Sequence, residues 1–187
     1  MKTIKVKKWS EVPKDYTGIV EYSDGDKEWY LNGKKHREDG PAVENASGSK
    51  EWWLNGYEHR EDGPAVEYAD GTKFWYLNGE HHRVDGPAVE CAEGYKAWYL
   101  NGEHHREDGP AREWADGEKE WWLNGKKHRE DGPACEYANG DKEWYLNGKS
   151  FDSKEEWQKE IDKSKSRYDG KIVEIDGKKY KLVLIEE

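Results

Sequence analysis

The chain has 187 residues, enough for one ordinary domain, but only 33% are hydrophobic, 39% are charged, and the net charge is −10. Composition alone would place it among disordered chains, yet 11 Trp and 12 Tyr recur periodically and supply large rings for thin, aromatic-rich packing. No apolar run approaches the ~20 residues of a membrane span, and an acidic balance disfavours direct contact with nucleic acid or anionic lipid.

Residues 1–15 come first and carry a charge of +3. Ile4 and Val6 alternate with Lys5 and Lys7, which predicts a short N-terminal cap strand over the first repeat. Met1-Lys2-Thr3-Ile4 leads into no apolar segment, so the start does not read as a secretory signal.

Residues 16–150 are a tandem repeat. The glycine of Asp-Gly-Pro recurs at Gly40, Gly63, Gly86, Gly109 and Gly132, a step of 23 residues without insertion. A period this strict decides the fold. Each unit has one strand of the Pro64–Ala69 kind, then a two-residue turn such as Asp70-Gly71, then a second strand such as Lys142–Leu146. An Asn-Gly turn comes next, as at Asn78-Gly79, and a His-Arg-Glu-Asp-Gly segment leads to the next unit. Asn-Gly and Asp-Gly supply the positive φ that tight hairpins need. The first unit is degenerate, with Tyr16-Thr17-Gly18 in place of Asp-Gly-Pro. The prediction is all-β: six hairpin units in one elongated antiparallel sheet of about twelve strands, spanning roughly 58 Å.

Residues 151–187 leave the repeat. Ser153 and Glu156 form a capping box, and Trp157 and Ile161 share a face, which predicts a helix over about 154–165. Ile172–Ile175, a turn at Asp176-Gly177 and Tyr180–Ile185 predict a hairpin. Helix and hairpin together read as a C-terminal cap over an open sheet edge.

The repeat resembles the MORN repeat and its bacterial variants, including antitoxin-like families. The residues that carry the likeness are Asp-Gly-Pro-Ala-Val-Glu-Tyr, the glycine turn, and Trp-Tyr-Leu-Asn-Gly followed by His-Arg. It covers about residues 16–150 and implies a β-hairpin sheet used for binding or scaffolding, in a bacterial or phage setting.

Two aromatic rows alternate along strand two. Trp29, Trp52, Trp75, Trp98, Trp121 and Trp144 share a phase with Leu31, Leu54, Leu77, Leu100, Leu123 and Leu146 and read as core. Tyr30, Trp53, Tyr76, Tyr99, Trp122 and Tyr145 lie on the opposite face and are the better candidates for an exposed binding row. Arg112 and Trp114 depart from the repeat and are interface-type residues, clustering in one unit with Trp121 and Trp122. The histidines His36, His59, His82, His105 and His128 recur one per unit, roughly 9.6 Å apart, too far to share an ion. They read as a structural ladder beside arginines that stack on rings or pair with carboxylates; no metal and no cofactor is expected. Cys91 and Cys135 lie roughly 20 Å apart and read as small apolar fillers, which fits the cytosol.

No nucleophile, phosphate loop or metal motif points to an enzyme. Residues 16–148 hold a charge of −13, which favours a basic protein partner. The expected function is non-enzymatic protein binding, as an antitoxin or inhibitor of a host protein, by a monomer or an edge-paired dimer. The alternatives are carbohydrate or small-ligand binding through the Trp and Tyr rows, or a passive scaffold.

Overall fold

The computed structural model describes residues 1–168, 171–175 and 178–181. Among them there is one α-helix, and one main sheet of 15 short strands runs through all six units in chain order. Every pair in that sheet is antiparallel except the first. Thr3–Val6 runs parallel to Gly18–Tyr22, because the intervening segment, with a 3-10 turn at Trp9–Glu11, carries the chain back across the sheet before it re-enters.

The two turns of a unit differ. At Asn55-Gly56 both residues have positive φ, 54° and 89°, and Leu54 pairs with Tyr57, so the loop is those two residues alone. This is the type I′ turn, whose twist matches that of the strands. At the other turn only the glycine is left-handed, with φ 94° at Gly71. Tyr68 N donates to Thr72 O at 2.9 Å, and Gly71 N donates to Tyr68 O at 3.0 Å. The two-residue Asp-Gly turn expected there is therefore a three-residue loop, Ala69-Asp70-Gly71. Asp70 keeps ordinary φ and instead accepts from Thr72 N at 2.8 Å.

Strand two also departs from expectation. It is interrupted at Trp52, Trp75, Trp98 and Trp121. Trp75 N donates sideways to Ala88 O of the next unit at 2.8 Å, while Trp75 O accepts from His82 N at 3.1 Å. Lys73-Phe74 stays in the main sheet; Tyr76-Leu77 leaves it and pairs with a third strand, Glu80-His81. These second hairpins stack through isolated bonds such as Arg60 N to Tyr76 O, 3.1 Å, and Gly79 N to Glu58 O, 2.8 Å. An inner unit thus contributes two short strands to the one main sheet, as the repeat predicts, and two more, such as Tyr76-Leu77 and Glu80-His81, to a small hairpin of its own. The return strand is what brings the following arginine back to the Trp of its own unit.

The core is thin. Ala42, Ala65, Ala88, Ala111 and Ala134 are fully buried, one per unit, with Val43, Val66 and Val89 beside them. At the N-terminal end Val6, Tyr16, Val20 and Tyr30 form a small cluster. There Thr17 Oγ1 accepts from Asn32 N at 2.8 Å, the role a histidine ring plays in later units.

At the other end the helix Lys154–Tyr168 begins at Ser153, whose Oγ accepts from Glu156 N at 3.2 Å. It buries Trp157 and Ile161. Trp157 lies 4.7 Å from the Trp144 ring, and its Nε1 donates to Arg129 O at 3.2 Å. Ile172–Ile175 and Lys178–Lys181 pair antiparallel. The expected turn at Asp176-Gly177 and the continuation to Ile185 lie outside the described residues.

Candidate functional site

The His-Arg-Glu-Asp segments stack along one side of the array, and their arginines are fully engaged. The Arg83 guanidinium lies 4.1 Å from the Trp75 ring centroid. Its Nε donates to Asp85 Oδ1 at 2.9 Å, and its Nη1 to Pro87 O at 3.2 Å and Glu90 Oε1 at 2.9 Å. Arg37, Arg60, Arg106 and Arg129 repeat this set on Trp29, Trp52, Trp98 and Trp121. The glycine of Asp-Gly-Pro is required by it: a Cβ on Gly86 would stand 2.9 Å from Arg83 Cζ. Hydrogen bonding to Arg83 holds the Asp85 carboxyl below its usual range, as the equivalent arginines do for Asp39, Asp62 and Asp108.

Each ladder histidine bridges two units. His36 Nδ1 accepts from Asn55 N at 3.1 Å; His59, His82, His105 and His128 do the same for Asn78, Asn101, Asn124 and Asn147. At His36, His82 and His128 an accepting Nδ1 leaves the ring proton on Nε2, whereas the Nδ1 of His59 and His105 also lies 2.9 Å from the side-chain oxygen of Asn78 and Asn124. The Nε2 atoms of His36, His59, His105 and His128 face Glu38, Glu61, Glu107 and Glu130 at 3.6–3.8 Å. No three His, Cys, Asp or Glu side chains among the described residues are placed to hold a metal.

With Arg and His turned inward, the carboxylates are left outside. Asp39, Asp62, Asp85, Asp108 and Asp131 are 82–86% exposed, and Glu38, Glu61, Glu107 and Glu130 are 66–85% exposed. Val84 interrupts the row and is itself 83% exposed. Between successive ridges run four equivalent open grooves of 620–790 Å³. Each has a Trp, a Leu and a Pro in its lining and acidic side chains at its rims; one is bounded by Pro64, Trp75 and Leu77.

The opposite face carries the other aromatic row. Tyr30 is buried, and Trp53, Tyr76, Tyr99, Trp122 and Tyr145 are half-buried. They are not a free platform, because residues of the third strand interleave with them. Tyr76, His81, Tyr99, His104 and Trp122 form one column with successive centroids 4.1, 4.8, 4.1 and 5.3 Å apart. The Lys35 ammonium sits 5.0 Å from Trp53, and that of Lys127 5.1 Å from Tyr145. His81 and His104 keep a buried Nδ1 without a partner. Burial pushes both rings below the usual histidine range, His104 to about 4, helped there by the Arg112 charge.

Arg112 and Trp114 do come together, 4.3 Å apart. Arg112 Nε donates to Tyr95 Oη at 3.1 Å and Nη1 to Glu120 Oε2 at 2.9 Å. Glu120 also accepts from Trp122 Nε1 at 3.0 Å and meets Lys127 Nζ at 3.1 Å. Trp121 is not part of this group; it lies under Arg129 on the other face. Sequence reasoning passed over Tyr95, Glu120 and Lys127. The signal was available: Tyr95 stands where other units have Asp26, Ser49, Thr72, Glu118 or Asp141. A similar cluster lies near the N-terminal end, where Glu28 accepts from Tyr22 at 2.6 Å and Tyr30 at 2.7 Å and meets Lys35 at 3.2 Å. Burial opposes it, but those contacts hold Glu28 below its usual range, while burial and Glu28 push Tyr30 up to about 12. Cys91 is half-buried and Cys135 buried, both as free thiols.

Fold and surfaces together define a β-hairpin repeat protein with end units unlike its inner ones. No protein-family model matches the chain, and no curated protein matches it. No helix among the described residues is long and apolar enough to cross a membrane.

Proposed function

We propose that the protein is a binding module for a basic protein partner, engaged through the stacked loop ridges. The observation that carries this reading is the row of exposed carboxylates, two per unit except at Val84, backed by arginines already saturated. Charges arranged this way keep their spacing without ordering cost at binding, and they raise association rates with an oppositely charged surface. The charge of −13 on residues 16–148 supports the same reading. In a bacterial or phage setting the array acts as an antitoxin-like inhibitor, covering a basic surface that otherwise grips nucleic acid. The resemblance to MORN-type repeats supports a binding role and not a catalytic one.

The test is retention of partners from a bacterial lysate at about 50 mM and about 500 mM salt, followed by mass spectrometry. One basic protein held at low salt and released at high salt is the expected result. Retention that ignores salt, or of an uncharged glycan, overturns the reading.

A further inference from the structure

The four grooves on the loop side share one design, and it constrains what lies in them. Each has an apolar strip, such as Pro64, Trp75 and Leu77, beside two arginines and a histidine, such as Arg60, Arg83 and His82; Asp62 and Asp85 neutralise those arginines, so the acidic excess at the rim comes from glutamates such as Glu61. A lysine or arginine fits this arrangement with its methylene stem on the apolar lining and its charged head at the rim. The spacing of the grooves is set by the sheet. Each unit adds two strands to the main sheet, so equivalent points recur about every 9.6 Å.

That pitch discriminates between backbone conformations. A polyproline II chain brings every third residue back to one face after about 9.3 Å, within ~0.3 Å of the groove repeat. A β-strand returns after about 6.8 Å, or 13.6 Å at the next alternation, and misses by roughly 3–4 Å per step. An α-helix returns after seven residues, about 10.5 Å, and drifts by roughly 3 Å over the four grooves. The array also exposes tyrosine and leucine edges, at Tyr57 and Leu31, but these do not line the grooves and set no competing pitch.

We infer that the grooves take an extended, polyproline II-like segment of the partner, running along the repeat axis with a basic residue at every third position. This rests on the protein-binding reading above and deepens it. Val84 gives the site a register. The two central grooves have Val84 where the outer two have only glutamates at that rim position, so the segment bears its strongest basic requirement at its ends.

The test uses the full chain and three synthetic 15-residue peptides followed by fluorescence polarisation. One has five Lys-Pro-Pro triplets. The second has the same composition with the five lysines in one block. The third has five Lys-Gly-Gly triplets, which keep the spacing but not the stiffness. The Lys-Pro-Pro peptide is expected to bind about ten-fold tighter than the block peptide, with Lys-Gly-Gly between them. Glu61→Gln with Glu107→Gln is expected to lower affinity for the triplet peptide several-fold, and Val84→Glu to raise it. Equal affinity for triplet and block peptides overturns the spacing inference while leaving capture of basic partners intact. Binding of none of the peptides at low salt, together with a salt-sensitive partner from the lysate, also overturns the inference and not the broader reading. Loss of both overturns the two together.

Discussion

The two faces of the array obey different rules. On the loop face the same five-residue set recurs in every inner unit: Trp, Arg, Asp, Pro and Glu, with the arginine as the hub. On the other face the equivalent positions change from unit to unit. The strand-two row reads Glu28, Glu51, Phe74, Ala97, Glu120, Glu143, and the third-strand row Lys35, Glu58, His81, His104, Lys127, Ser150. The difference is one of valence. An arginine that stacks on a ring and donates three hydrogen bonds in a fixed fork cannot be exchanged without losing all of them. A row held by cross-strand contacts tolerates any pair that fits its neighbours, whether Glu with Lys or Phe with His.

Breaking the loop face should therefore cost most. Arg83→Ala removes the stack on Trp75 and the bonds to Asp85, Pro87 and Glu90, and is expected to destabilise by about 2–3 kcal/mol in chemical denaturation. Arg83→Lys should recover little of it, since an ammonium cannot reproduce the fork. Full recovery by lysine would show that charge alone matters. The end of the array is the next test. The position one step after Arg129 is Asp152, and Trp157 from the helix lies on Trp144 instead. Trp157→Ala is expected to destabilise by about 2 kcal/mol and to raise amide exchange first in residues 131–151, because a repeat array frays from an uncapped end. Uniform exchange along all units would contradict that.

The variable face sharpens the contrast at low pH. His104 is held near 4 and His81 is also depressed, so both are neutral in the folded protein. A base with a depressed folded pKa contributes full stability above its unfolded value of about 6.5, and that contribution falls as pH drops toward 4. After allowance for their partial exposure, replacing both with Phe should reduce the loss between pH 7 and pH 4.5 by about 1 kcal/mol. Identical pH profiles for variant and parent would refute the burial argument. The smallest effect is expected at Arg112→Val, which restores the residue found in units one to four. Glu120 keeps Lys127 and Trp122, so stability should stay within about 1 kcal/mol in thermal melts.

Particular residues mark how far the sequence could be read. The strict period, the Asn-Gly turns and the Ser153 cap were legible because each is a local signal whose meaning does not depend on what lies across the fold. The three-residue loop at Ala69-Asp70-Gly71 was not. Asp-Gly serves both loop lengths, and only the pairing of Tyr68 with Thr72 separates them. The third strand, Glu80-His81, is two residues long and has no pattern of its own. What interleaves with the candidate binding row was not legible for the same reason: alternation assigns Tyr76 and Tyr99 to a face, but says nothing about His81 arriving between them from another strand.

The sequence by itself determined a repeat of fixed pitch, hairpins closed by type I′ turns, a helix after the last unit and a strongly acidic body, since all of these follow from spacing, local backbone preference and composition. Only the tertiary structure decided which charges are spent and which are offered. Arg and Asp sit two residues apart in units one to five, and nothing in that spacing says that the guanidinium turns inward onto a ring while the carboxylate stays in water. That choice is made by the return strand, which brings each arginine back over the tryptophan eight residues before it and leaves the acids along the rim of the grooves.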